Sequence, residues 1–196
     1  MKLKSNYGPL IYSKQKKWRS HPDHLDPHKS SSLVSFQEMK IRLLCGGELS
    51  QSVGETIGCK LAEASLDFEL IDTKAFQKEK IAEASVVCII IQTIENDQPP
   101  ESAQRLVSYL KKKDLSVDLL RDVRFAVIGL GDSSLLLDRQ TTTGRDCNKV
   151  AQTLNKRMGE LGGTMMHSLC EADERTGLTE VDPWIASFVK TLLGHT

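Results

Sequence analysis

Hydrophobic positions first recur with a regular period after about residue 39. Five runs read as strands: "KIRLLC" (40–45), "DFELID" (67–72), "SVVCIII" (85–91), "RFAVIGL" (124–130) and "TMMHSLC" (164–170). The third is apolar without alternation, the pattern of a strand covered on both faces. Between the strands, apolar residues return every three or four positions. The sets are Val53, Ile57 and Leu61; Ala103, Leu106, Val107 and Leu110; and Val150, Leu154, Met158 and Leu161, each one helical stripe facing a sheet. A last helix is predicted to start at "DPW", with Asp182 as cap and Pro183 in the first turn, and to bury Trp184, Ile185, Phe188 and Leu192. Gly162 and Gly163 close the helix before it. Strand and helix alternating over short connections predict a parallel sheet between helices, with ligands at the carboxyl ends of the strands.

Residues 1–39 follow neither period and read as an irregular arm ahead of one domain at 40–196. Pro9, Pro22, Pro27 and "KSSS" interrupt the arm. The 196-residue chain is neutral, with 26 basic and 26 acidic residues, yet residues 1–30 hold seven Lys or Arg against two Asp. The arm is therefore basic and the body acidic. Tyr7, Tyr12 and Trp18 lie among Lys16, Lys17 and Arg19, whereas disordered tails are usually poor in rings. That mixture suits contact with an acidic protein face or with RNA; a solvated tail is the plainer alternative.

Composition excludes little else. Hydrophobic residues make up 39% of the chain, enough for one globular core. No apolar run approaches the roughly 20 residues of a membrane span, and no secretory signal opens the chain. A soluble intracellular protein is expected, cytoplasmic or alternatively mitochondrial, without membrane partners. The five cysteines form no C-x-x-C pair, and reduced, buried thiols are expected. "HPDHLDPH" (21–28) lacks a second ligand cluster, so no metal is expected. His167 reads as a packed strand histidine, Thr141, Thr142 and Thr143 as a loop, and Lys111, Lys112 and Lys113 as a solvated helix end.

The chemistry concentrates in "CGGELSQSVGE" (45–55), a glycine-rich turn from strand to helix of the kind that cradles phosphate. Together with "FAVIGLGDSS", "PPESAQRLVSYL" and "ERTGLTEVDPWI", it makes residues 40–193 resemble the flavodoxin-like FMN module of the diflavin reductases. The tail and the "GLGDS" loop are most similar to the methionine synthase reductase branch. The flavodoxin module of wybutosine-synthesis enzymes is a further relative. The resemblance implies a flavodoxin-like, doubly wound five-stranded sheet ordered 2-1-3-4-5, with FMN held by three loops.

On this chain the first loop is Gly46, Gly47, Ser50, Gln51 and Ser52, where most of the family's hydroxyls are missing and Glu48 brings a carboxylate. In the second loop Thr93, Ile94, Glu95 and Asn96 lead into Asp97, and acids replace both of the family's glycines. In the third, Gly129, Leu130, Gly131 and Asp132 remain, but Leu135 stands where the family stacks a tyrosine. Each lost ring stack costs roughly 1–3 kcal/mol and a lost charge-assisted donor roughly 1.5–3 more. Those losses predict a decayed site without cofactor and a non-catalytic interaction or architectural subunit, in an assembly that can include RNA. The alternative is an FMN-binding electron-transfer module serving a separate NADPH/FAD reductase. No catalytic constellation is evident, which leaves the question of an enzyme open and leans against it.

Overall fold

The computed structural model describes residues 39–94, 97–136 and 147–194. Its centre is a parallel sheet of β1 (Ile41–Gly46), β2 (Phe68–Asp72), β3 (Val86–Gln92), β4 (Arg124–Gly131), β5 (Thr164–Met165) and β6 (Cys170–Asp173). The strand order is β2-β1-β3-β4-β5, and β6 also pairs with β4. This is the predicted 2-1-3-4-5 arrangement. β1 and β3 run in register from Ile41 opposite Val86 to Gly46 opposite Ile91.

Successive strand residues point to opposite faces, and each face has its own core. On one face, Ile41, Leu43, Cys45, Cys88, Ile90 and Ile128 meet α1 (Glu48–Glu63) and α5 (Val181–Leu192). On the other, Leu44, Ile89, Ile91 and Val127 meet α3 (Gln104–Leu110) and α4 (Lys149–Glu160). A short α2 (Lys78–Ala82), absent from the periodic reading, contributes Ile81. The first six residues of β3 are buried, as its unbroken apolar run requires.

Two predicted boundaries move. The fifth run is two short strands: beyond Met166, whose N–H still bonds to the Phe125 carbonyl, the Ser168 carbonyl accepts from the Trp184 indole at 2.7 Å. His167 lies in that break, half-buried against Trp184 and Phe188 and hydrogen-bonded to the Ser187 hydroxyl at 3.0 Å. α5 starts at Val181 rather than at a capping Asp182, because the Val181 N–H already bonds to the Leu178 carbonyl and its side chain is buried. Pro183 still falls in the first turn, where no N–H is needed. Of the five thiols, Cys45, Cys88, Cys147 and Cys170 are buried as expected, whereas Cys59 is exposed on α1.

β4 carries glycine for closeness rather than for flexibility. A Cβ on Gly131 would lie 2.2 Å from the Cys147 carbonyl oxygen, and one on Gly129 would lie 2.6 Å from the Ala151 Cβ. Gly159 in α4 is the contrast, with nothing within 4 Å of such an atom. Gly131→Ala should therefore destabilise the protein by about 1–3 kcal/mol through overpacking. Gly159→Ala should stabilise it by about 0.5–1 kcal/mol through helix entropy. Denaturant unfolding of both variants checks the pair, and equal effects would refute this account of the two glycines.

Candidate functional site

The connections leaving β1 and β3 run to opposite faces of the sheet, which opens a crevice between their carboxyl ends. α1 begins there immediately after Gly47, whose φ of 121° places it outside the range comfortable for other residues. Gly47 gives α1 no side-chain cap. The cap comes from Gln92, the last residue of β3, whose Oε1 accepts from the Leu49 N–H at 3.1 Å.

One hydroxyl of this loop is already engaged within it. Ser50 is fully buried and donates back to the Gly46 carbonyl at 3.0 Å. Ser52 is exposed, and Gln51 spends its N–H on the Gly47 carbonyl at 3.1 Å. Glu48 is exposed in the first turn of the helix. What this end of the site offers an anion is backbone N–H and helix dipole, both independent of side-chain identity.

After β3 the chain folds back tightly, with the Ile94 N–H bonded to the Gln98 carbonyl at 2.8 Å. Asp97 adopts φ 60°. The loop thus retains a left-handed residue after losing its glycines, using one of the side chains that tolerates that region best. Thr93 is buried and structural: its N–H reaches the Leu130 carbonyl, and its hydroxyl accepts from the Val150 N–H at 3.2 Å, holding the start of α4.

After β4, Asp132 accepts from the Ser134 N–H at 2.8 Å and turns the chain. Ser133 donates its N–H and its hydroxyl to the two oxygens of Asp173, at 3.0 and 2.6 Å, and the Arg175 Nε donates to the same hydroxyl at 2.7 Å. Burial alone would raise the Asp173 pKa, but the donors from Ser133 and Arg175, with the Arg175 charge, hold it below the usual carboxylate range. The turn so braced carries Leu135, which is 46% exposed, while Ile94 on the neighbouring loop is 44% exposed.

Of the sequence-predicted positions, Gly46, Gly47, Thr93, Ile94, Gly131, Asp132 and Leu135 gather at this end of the sheet. Gly129 and Leu130 are buried within β4, and the buried Ser50 hydroxyl is engaged by the Gly46 carbonyl. Glu95, Asn96, Thr141–Thr143, the histidine cluster at 21–28 and the arm residues Tyr7, Tyr12, Lys16, Lys17, Trp18 and Arg19 lie outside the described residues. Gln92, Asp173 and Arg175 were missed. Gln92 had a signal, as the polar end of an otherwise apolar strand; Arg175 sat in a motif read only as scaffold, and Asp173 immediately precedes it.

The sequence pattern of the flavodoxin family matches residues 50–184. The chain belongs to that family. Among curated proteins it is 25% identical over 148 residues to bovine NADPH-dependent diflavin oxidoreductase 1, covering 74% of this chain and 23% of that protein. It is 31% identical over 114 residues to bovine methionine synthase reductase, covering 58% and 15%. It is 31% identical over 143 residues to the sulfite reductase [NADPH] flavoprotein alpha-component of Sodalis glossinidius, covering 73% and 22%. The chain thus spans less than a quarter of each of these relatives. A cysteine-to-alanine mutant of flavodoxin from Pseudomonas aeruginosa superposes with a TM-score of 0.62 at 23% identity, covering 79% of this chain and 99% of that one.

These findings correct the expectation that the flavodoxin-family chain takes no cofactor: the family match, the flavodoxin fold and a flavoprotein relative point to FMN. The residues fit such a group. The helix terminus already directs an N–H at an acceptor oxygen, and exposed aliphatics stand on both flanking loops. Among the described residues no helix is long and apolar enough to cross a membrane.

The Asp173 brace yields a pH test. Its folded pKa is depressed, so its stabilisation is fully present above the unfolded-state value of about 4 and is lost as pH falls through the folded value. The stability gap between wild type and Asp173→Asn should be constant above about pH 5 and shrink progressively below about pH 4. Urea midpoints from about pH 7 down to about pH 2.5 measure it; a gap that widens towards acid would contradict the brace.

Proposed function

We propose that the chain binds FMN at the carboxyl ends of β1, β3 and β4 and serves as an electron-transfer module for an NADPH/FAD reductase. One observation carries this reading. Of the five large hydrophobic side chains exposed among the described residues, Ile94 and Leu135 occupy the two loops that bound the crevice. Exposed aliphatics in that position are costly in water and gain from an apolar ring laid against them.

Bound FMN would supply a reversible store of electrons that the protein's own side chains lack. The four buried thiols do not fill that role: desolvation, with nearby carboxylates, raises Cys45 to about 12 and Cys147 to about 11, so both stay protonated at neutral pH. The chain's contribution is placement. The N-terminus of α1 favours a phosphate, the Asp97 and Ser133–Asp173 turns hold the two loops, and Ile94 and Leu135 keep water from the ring faces.

Aliphatic walls contact a ring without stacking on it, so flavin affinity is expected to fall below that of family members with aromatic walls. Weak occupancy favours a second use of the same fold, as an interaction subunit whose basic, aromatic arm engages a protein or RNA partner. The arm's composition is what supports that reading.

Titration with FMN, followed by absorbance near ~450 nm and by flavin fluorescence quenching, tests the proposal. Wild type is expected to bind in the micromolar range, roughly where losses of several kcal/mol leave a nanomolar site. Leu135→Tyr should bind about 5- to 150-fold more tightly, the equivalent of about 1–3 kcal/mol for one restored stack. Failure of both proteins to take up millimolar FMN would refute the reading.

A further inference from the structure

The Gln92 side chain lies where the main chain of α1 would meet a phosphate. Three features define its position. Gln92 ends β3 opposite Leu130 in β4, so its place beside the β1 exit is fixed by the sheet. Its Oε1 accepts from the Leu49 N–H at 3.1 Å, which makes it the acceptor at the start of a 16-residue helix whose own N-cap residue supplies none. It also packs on Gly47 so closely that a Cβ there would lie 2.0 Å from Oε1 and 2.8 Å from Cδ.

A neutral amide oxygen is a modest partner for a helix N-terminus, whereas a phosphate dianion gains from both the dipole and charge-assisted bonds. The two cannot occupy the Leu49 N–H together. Gln92 is half-buried on a side chain with rotatable bonds, so it can leave if its place is taken.

We propose that Gln92 is a built-in competitor for the phosphate of FMN: it caps α1 when the site is empty and must swing away on binding, which lowers the preference for FMN over unphosphorylated riboflavin. This inference rests on the reading that FMN binds in the crevice, and it assigns Gln92 a specificity-setting role rather than a catalytic one. The amide also explains how a helix start with no cap of its own stays ordered without ligand.

The test compares wild type, Gln92→Ala and Gln92→Asn in the full chain, the last keeping an amide on a stem too short to reach Leu49. FMN and riboflavin are titrated separately, and thermal midpoints are measured with and without inorganic phosphate. Removing one neutral hydrogen bond from the competition should tighten FMN by about 3- to 10-fold in both variants, with riboflavin changed by less than about 2-fold. Without phosphate both variants should melt earlier than wild type, and added phosphate should raise their midpoints more than that of wild type. If FMN binds wild type but weakens in the variants, or if both flavins shift equally, the competitor role is overturned while the FMN reading stands. If no protein binds FMN, that reading falls, and the phosphate arm decides the rest: a larger midpoint gain in the variants retains Gln92 as the resident competitor, and equal gains overturn it.

Discussion

The parallel ladder between β1 and β3 is the constraint from which the remaining geometry follows. Six rungs hold these strands in register, and the chain then leaves them towards opposite helix layers. A gap at their carboxyl ends is therefore a product of topology. The last rung pairs Gly46 with Ile91, so Gln92 is carried one residue past the ladder and beside the first turn of α1. An approach of this kind needs no loop flexibility, because both groups sit on sheet or helix.

The two outer loops are tied down by a different means. Thr93 links β3 to α4, Gly131 lets β4 press against the Cys147 carbonyl, and Ser133 is clamped between Asp173 and Arg175. These contacts depend on small side chains, hydroxyls and main chain, and they hold in place the turns that carry Ile94 and Leu135. In the proposed FMN site, walls fixed before the ligand arrives would reduce the ordering cost of binding, which partly offsets what aliphatic side chains lose against rings.

Much of this was legible in the chain itself. The apolar run at 85–91 announced a strand covered on both sides, and the stripes at Val53, Ile57 and Leu61 and at Val150, Leu154 and Met158 placed two helices correctly. Sequence failed where tertiary contacts override local pattern. The run at 164–170 looks continuous, but the indole of Trp184 claims its Ser168 carbonyl from a distant helix. The site was judged from the side chains of its loops, so missing hydroxyls and glycines counted as lost function. Local sequence does not show that Asp97 takes the left-handed conformation a glycine would have supplied. Nor does it show the role of Gln92, which depends on a neighbour 43 positions away.

The distribution of sulphur gives the molecule a further property. Desolvation holds Cys170 at about 12 and lifts Cys88 far above its ordinary value, and Cys45 and Cys147 are shielded in the same way. Cys59 alone faces water. A thiol-selective dye added to the native chain therefore finds one reactive partner promptly and the other four only as the sheet comes apart. Counting modified cysteines over time would follow the opening of both cores without any engineered probe.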